Sequence, residues 1–190
     1  MNRRESLTAM LALGASACSG LPPGPRTEEL PTGTNFVAAV PYISTRPEIV
    51  DAMLELASIG PKDVVYDLGC GDGRIVIAAA KRYGVSGLGV DNQVEPIRAA
   101  ESQASWEGVS NRVKFSLGNL FDLDIRPATV VMLYLSVELN LMLRPKLLAQ
   151  LRPGSRIVSN RFDMADVWRP NRSIVVGATP IHLWRIEASR

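Results

Sequence analysis

From about residue 35 onward, short apolar runs alternate with amphipathic stretches in a strand–helix rhythm. Val50, Met53, Leu54 and Ala57 recur at helical spacing. Ahead of them, Thr45-Arg46-Pro47-Glu48 reads as a capping box with proline in the first turn, and Gly60-Pro61 reads as the stop. Val64–Leu68 is a short apolar run bounded by a glycine cluster, the mark of a buried parallel strand. The pattern then predicts a helix over 75–83 closed by Gly84, a strand over 86–90, and a helix over 96–106 closed at Gly108. Strands follow over 113–117 and 129–135. Residues 137–151 look helical but contain Pro145, which predicts a break near Arg144. Pro153-Gly154 turns the chain into a strand over 156–159. Runs at 173–176 and 181–186 lie too close together for a crossover helix, so they should form an antiparallel hairpin.

Strand–helix alternation implies an α/β fold: a Rossmann-like, doubly wound sheet with ligands at the carboxyl ends of its strands. The terminal hairpin adds one antiparallel strand, for seven in all. Residues 36–190 form this domain. Before it, Arg3-Arg4, an apolar run over 7–17 and Ala15-Ser16-Ala17-Cys18 read as a secretory leader with a lipoprotein-like cleavage box. That run is too short to span a membrane. Residues 1–18 are thus a signal-like leader and 19–35 a Pro/Gly/Thr-rich tether. Two outcomes stay open: a cell-envelope protein anchored through a lipid on Cys18, or a cytoplasmic protein whose first residues are no signal.

Composition narrows the chemistry. With 21 Lys+Arg against 19 Asp+Glu, scattered along the chain, there is no electrostatic footprint of a nucleic-acid binder, and no nucleic-acid partner is expected. A single histidine, His182, and two distant cysteines, Cys18 and Cys70, offer neither a disulfide framework nor the usual zinc spacing, so no metal is expected.

The chemistry concentrates at Asp67-Leu68-Gly69-Cys70-Gly71-Asp72-Gly73, between a predicted strand and a predicted helix. The glycines let the backbone turn sharply and approach a ligand closely. Asp91 closes the next strand, where an acid accepts both hydroxyls of a ribose. A nicotinamide dehydrogenase uses similar geometry, but its loop reads G-x-G-x-x-G and this one reads G-x-G-x-G. Asp67 also precedes the loop where dinucleotide binders keep an apolar residue. A carboxylate there suits an amino group and a sulfonium, not a pyrophosphate. Asn119 ends the third strand, beside the place for an adenine, and its side-chain oxygen is an acceptor.

The ordered motifs at 67–73, Gly89-Val90-Asp91 and Leu151-Arg152-Pro153-Gly154 resemble those of class I S-adenosylmethionine (SAM) methyltransferases. Pro41-Tyr42 through Thr45, the run Asp72–Ala80, and Arg161-Phe162 followed by Trp168-Arg169-Pro170 resemble, more narrowly, the ATP synthase c-subunit lysine methyltransferase family and its bacterial relatives. The resemblance implies that SAM is the co-substrate. It implies contacts from Tyr42, Thr45, Asp67, Gly69, Gly71, Asp91 and Asn119, with Cys70, Gly73, Asn92 and Leu120 as adjoining loop positions. It also suggests a protein lysine as acceptor. Asp163-Met164 departs from the animal members, and Tyr134-Leu135-Ser136 lacks the motif of enzymes acting on adenine or glutamine.

Tyr134, Glu138, Asn140 and Asp163 follow the fourth and fifth strands, on the rim where the acceptor should arrive, and are the candidate catalytic residues. A SAM-binding module without turnover and a small-molecule methyltransferase are the alternatives. SAM is made in the cytoplasm, which sets the cofactor against the leader.

Overall fold

A computed structural model describes residues 44–188; the leader, the tether, Cys18 and Pro41-Tyr42 lie outside the described residues. Helix α1 (Pro47–Ala57) leads into β1 (Val64–Leu68), α2 (Arg74–Tyr83), β2 (Ser86–Asp91), α3 (Val94–Trp106), β3 (Val113–Leu117) and β4 (Val130–Leu133). Then come α4 (Val137–Gln150), β5 (Arg156–Asn160), a 3-10 turn at Ala165–Val167, β6 (Arg172–Val176) and β7 (Thr179–Arg185). They make one seven-stranded sheet in the order β3-β2-β1-β4-β5-β7-β6. The first five strands are parallel, and β7 lies antiparallel between β5 and β6. The expected fold class and terminal hairpin are both present. Strand order reverses at β1 and β4, which opens a crevice at their carboxyl ends.

Alternation along each strand divides the core between two faces. Val65, Val130, Met132 and Val158 pack beneath α1 and α2, whereas Leu68, Val131, Leu133 and Ile157 pack against α4 with Trp184. At the amino end of the sheet, Arg156 donates to the Asp63 carboxylate at 2.6 Å and to the Ala57 carbonyl at 3.0 Å. Burial alone would raise the Asp63 pKa, but hydrogen bonds from Arg156, Gly60 and Thr129 hold it below the usual carboxylate value. This cluster ties α1, β1, β4 and β5 together away from the carboxyl edge.

Three local expectations are corrected. The N-cap of α1 is Arg46, not Thr45, and makes no side-chain cap hydrogen bond; Pro47 opens the helix and Glu48 pairs with Arg46 at 3.2 Å. Proline at the first helical position is favourable because its missing N–H has no helical partner there. The helix also ends before Gly60: Ser58 takes the left-handed conformation at φ 52° and its N–H returns to the Glu55 carbonyl. Finally, α4 runs unbroken through Pro145. Leu143 and Leu147, on either side of the proline, are both fully buried against the sheet. Their packing holds the two turns in line although proline removes a helical donor and costs about 3 kcal/mol.

Pro145 is exposed, so truncating it removes little packing. Pro145→Ala should therefore stabilise the domain by about 2 kcal/mol, the restored donor being partly offset by a freer unfolded chain. Urea unfolding checks this: the midpoint should rise at constant slope, and an unchanged midpoint would mean the helix already bends to accommodate proline.

Candidate functional site

The chain leaves β1 at Leu68 and turns through Gly69, Gly71 and Gly73, with φ of 86°, 53° and 74°. These angles are left-handed, so glycine is the residue type they favour. The Gly69 and Cys70 N–H groups both donate to the Val90 carbonyl, at 2.8 and 2.9 Å, and the Gly71 N–H donates to Asp91 Oδ2 at 2.9 Å. The loop is thus bound to the last two residues of β2. Gly73 caps α2 and packs inward: a Cβ there would stand 2.4 Å from the Phe115 ring. Cys70 points inward too, since a Cβ at Gly89 would meet its Sγ at 2.7 Å. Burial, followed by the charges of Asp67 and Asp91, pushes the Cys70 thiol far up. Cys70 and Gly73, expected as loop positions adjoining the ligand, pack inward, and their N–H groups are already engaged.

Asp67 stands in β1 between Gly89 of β2 and Met132 of β4. It is 2% exposed, and its side chain receives no hydrogen bond among the described residues. Burial, with the charges of Asp91 and Asp72 adding to it, pushes its carboxyl up to about 8. A buried acid without a donor is a receptor for a cation. Asp91 at the end of β2 is differently placed. Each of its oxygens accepts one backbone N–H, from Gly71 and from Gln93 at 3.0 Å, and each keeps a lone pair for a further donor.

Arg74, which the sequence reading passed over, joins the entry segment to the loop. Its guanidinium binds Asp72 through two nitrogens and donates to the Thr45 carbonyl at 2.6 Å. The legible signal was an acid and a base flanking a helix-capping glycine. Thr45 is buried there, at the amino end of α1.

Asn119 forms a side-chain turn: its Oδ1 accepts from the Phe121 N–H at 3.0 Å. That leaves one lone pair of the oxygen for a ligand. Leu117, 52% exposed, lies opposite Asp91 in the β2–β3 ladder, and half-buried Leu120 follows; Asn92 is exposed beyond Asp91. An acid beside an apolar patch fits a nucleoside, ribose on Asp91 and base over the leucines. With Asp67 as the cation receptor, these residues fit SAM.

Three of the four acceptor-side candidates, Tyr134, Asn140 and Asp163, meet at the Phe162–Asp163 segment. Asn140 is fully buried, not on the rim: its Nδ2 donates to the Phe162 carbonyl at 3.0 Å and to Ser159 Oγ and the Asp163 carbonyl at 3.3 Å. It fastens α4 to the chain after β5, because a buried amide must find partners. Asp163 caps the Ala165 N–H at 3.0 Å. Glu138 is exposed in the first turn of α4, and a hydrogen bond from Ser136 holds its carboxyl below the usual value. Tyr134 is half-buried and stacks on Phe162, centroids 6.4 Å apart.

A family model described as the ANTKMT methyltransferase domain matches residues 67–172. The chain is 44% identical over 143 residues to a protein-lysine N-methyltransferase of Saccharolobus islandicus, covering 75% of this chain and 88% of that one. It is 32% identical over 148 residues to the mouse adenine nucleotide translocase lysine N-methyltransferase, of which it spans 63%. A solved structure from Salinibacter ruber, titled an RNA methyltransferase in complex with S-adenosyl-L-homocysteine, is 42% identical with a TM-score of 0.76 and covers 78% of this chain and 96% of that one.

The raised Asp67 pKa has a definite sign in stability. The folded form keeps the proton up to about 8 whereas the unfolded carboxyl loses it near 3.8. Its contribution is therefore full below about pH 4 and is lost as pH rises toward 8. Without ligand, Asp67→Asn should be increasingly more stable than the unsubstituted protein as pH goes from 5 to 8. Urea unfolding at several pH values reads this, and a pH-independent difference would place the Asp67 carboxylate in contact with solvent or a cation.

Proposed function

Because this chain belongs to the ANTKMT methyltransferase family and is a SAM-dependent methyltransferase, we propose that it methylates the side-chain amine of lysine in a protein. The observation that carries this acceptor is the charge of the carboxyl edge. Asp91, Asp122, Glu138 and Asp163 stand on its strand ends and loops, with Asp67 buried among them and Asp72 paired to Arg74; the other bases there include Arg46, Arg161 and Lys146, the last held at the Phe121 carbonyl. Such an edge attracts a cationic side chain and repels a phosphate backbone. The protein-lysine enzyme among its relatives supports the same acceptor. The Salinibacter structure titled an RNA methyltransferase supports a second reading, RNA, against which the acidic edge argues.

When bound, SAM supplies a methyl group whose bond to sulfur breaks with its electron pair left on sulfur, so the acceptor needs only a free lone pair and an aligned approach. In this reading Asp67 receives the amino end of SAM and Asp91 the ribose hydroxyls. Leu117, Asn119 and Leu120 hold the adenine, and Thr45 lies at the entry to the site; Tyr42 lies outside the described residues. Gly69 and Gly71 allow the backbone to pass close beneath. Most of the rate enhancement is positioning, worth roughly 7–11 kcal/mol in favourable cases. An amine ready to react must be neutral, and apolar surroundings assist the loss of its proton.

Incubating the chain with methyl-labelled SAM and either an RNA-free cell protein fraction or deproteinised RNA tests the acceptor. Methyl-lysine in the protein hydrolysate is the expected product. Label in RNA alone would replace the acceptor, and SAM binding without label in either would favour a binding module. For the cofactor contacts, Asp91→Ala should weaken SAM binding by about 2 kcal/mol with the fold intact, since charge-assisted hydrogen bonds to ribose are lost. Calorimetry measures this; an unchanged dissociation constant would remove Asp91 from the ribose, and binding of NAD in place of SAM would overturn the cofactor assignment.

A further inference from the structure

The last residue of β5, Asn160, is 3% exposed, yet its carboxamide makes no hydrogen bond among the described residues, and Oδ1 is enclosed. Buried amides without partners are rare because the lost hydration costs about 1–3 kcal/mol. Nearby Asn140 also leaves its Oδ1 unpartnered, but its nitrogen donates to three acceptors. Of the two amides, Asn160 is the one whose nitrogen and oxygen both go unused among the described residues.

Its position supplies a reason. Alternation puts Asn160 on the same sheet face as Val158, and the ladder Asp67↔Met132↔Val158 puts Asp67 on that face too. Both polar groups stand at the carboxyl edge, two strands apart, on the order of 10 Å by strand spacing. Tyr134 leaves the end of β4 beside it, since Leu133 pairs with Ser159. The chain then turns at once: Arg161 has φ 69°, and the Phe162 N–H returns to the Asn160 carbonyl at 2.8 Å. A non-glycine residue in this conformation is held there by its surroundings. Arg161 donates its N–H to the Pro180 carbonyl at 2.8 Å, and Ser159 Oγ and Asn140 Nδ2 both donate to the Phe162 carbonyl. These contacts hold Phe162 where its ring stacks on Tyr134.

We infer that Asn160 is the seat of the acceptor amine: once the side chains that enclose it give way, its Oδ1 accepts one N–H of the incoming nitrogen, beside the Tyr134–Phe162 pair. A neutral oxygen suits this task better than a carboxylate. It orients an amine through one hydrogen bond without the full charge that would keep the nitrogen protonated. The aromatic pair favours an alkylammonium both before deprotonation and after methylation. Ser159 and Asn140 are positioning residues that act through Phe162. The inference rests on the lysine reading above and adds to it the residue that receives the amine.

The test uses the same cell protein fraction as acceptor, with wild type, Asn160→Ala and Asn160→Asp. Asn160→Ala should raise the apparent KM for protein, or lower kcat, at least tenfold, while SAM affinity by calorimetry stays within twofold. Its melting temperature should hold or rise, because an unpartnered buried amide is removed. Asn160→Asp should fold and shift the pH–rate profile to higher pH, since a carboxylate holds the amine protonated. A lowered melting temperature with unaltered acceptor kinetics would make Asn160 a structural residue and overturn the seat. Altered SAM affinity with unaltered acceptor KM would move it to the cofactor. Wild type forming no methyl-lysine would instead overturn the lysine reading, and the seat with it.

Discussion

Three N–H groups of the loop after β1 bind the last two residues of β2, two at the Val90 carbonyl and one at Asp91. This clamp sets the path of the chain into α2 and fixes where Asp91 stands. It demands glycine where φ is positive and again at Gly73 and Gly89, where the Phe115 ring and Cys70 leave no room for a Cβ. The same loop faces the crevice created by the reversal of strand order at β1 and β4. Backbone pairing, close packing and ligand geometry are therefore one constraint: the loop approaches a ligand because β2 holds it.

Two buried side chains near this crevice, Asp67 and Asn160, make no hydrogen bond at all among the described residues. Asp67 has a carboxyl that burial and neighbouring acids push up to about 8, and Asn160 has a carboxamide with no hydrogen bond. Elsewhere such groups are paired in full or in part: Asp63 receives hydrogen bonds from Arg156, Gly60 and Thr129, and the Asn140 nitrogen donates to the carbonyls after β5 while its Oδ1 stays unpartnered. In the reading proposed above, Asp67 and Asn160 are held ready for a ligand. Local stability is given up at the carboxyl edge and recovered at the amino edge and in the two cores.

The lysine acceptor proposed above rests on the acidic edge. A lysine brings its own positive charge to the edge, whereas an RNA brings phosphates that the same carboxylates repel. Arg74 does not reverse this, because its guanidinium is bound to Asp72 and the Thr45 carbonyl.

What the sequence by itself determined was local and periodic. The parallel strands announce themselves as apolar runs, β3 falls on the expected residues, and the four residues between the last two apolar runs, two between the strands themselves, leave room only for a hairpin. The glycine loop, Asp67 and Asp91 were legible because close approach to a ligand demands particular residue types at fixed spacing. Tertiary structure decided what depends on non-local burial. Pro145 reads as a helix breaker until Leu143 and Leu147 are packed against the sheet on either side of it. Thr45 reads as a cap until Arg74 claims its carbonyl and the helix opens one residue later, at Pro47. Asn140 reads as a rim residue until the neighbouring strand and helix enclose it. Asn160 carries no signal at all in the sequence. An asparagine at a strand end is ordinary, and only the assembled sheet shows that it is buried without a partner, because hydration is lost through contacts with residues far away in the chain.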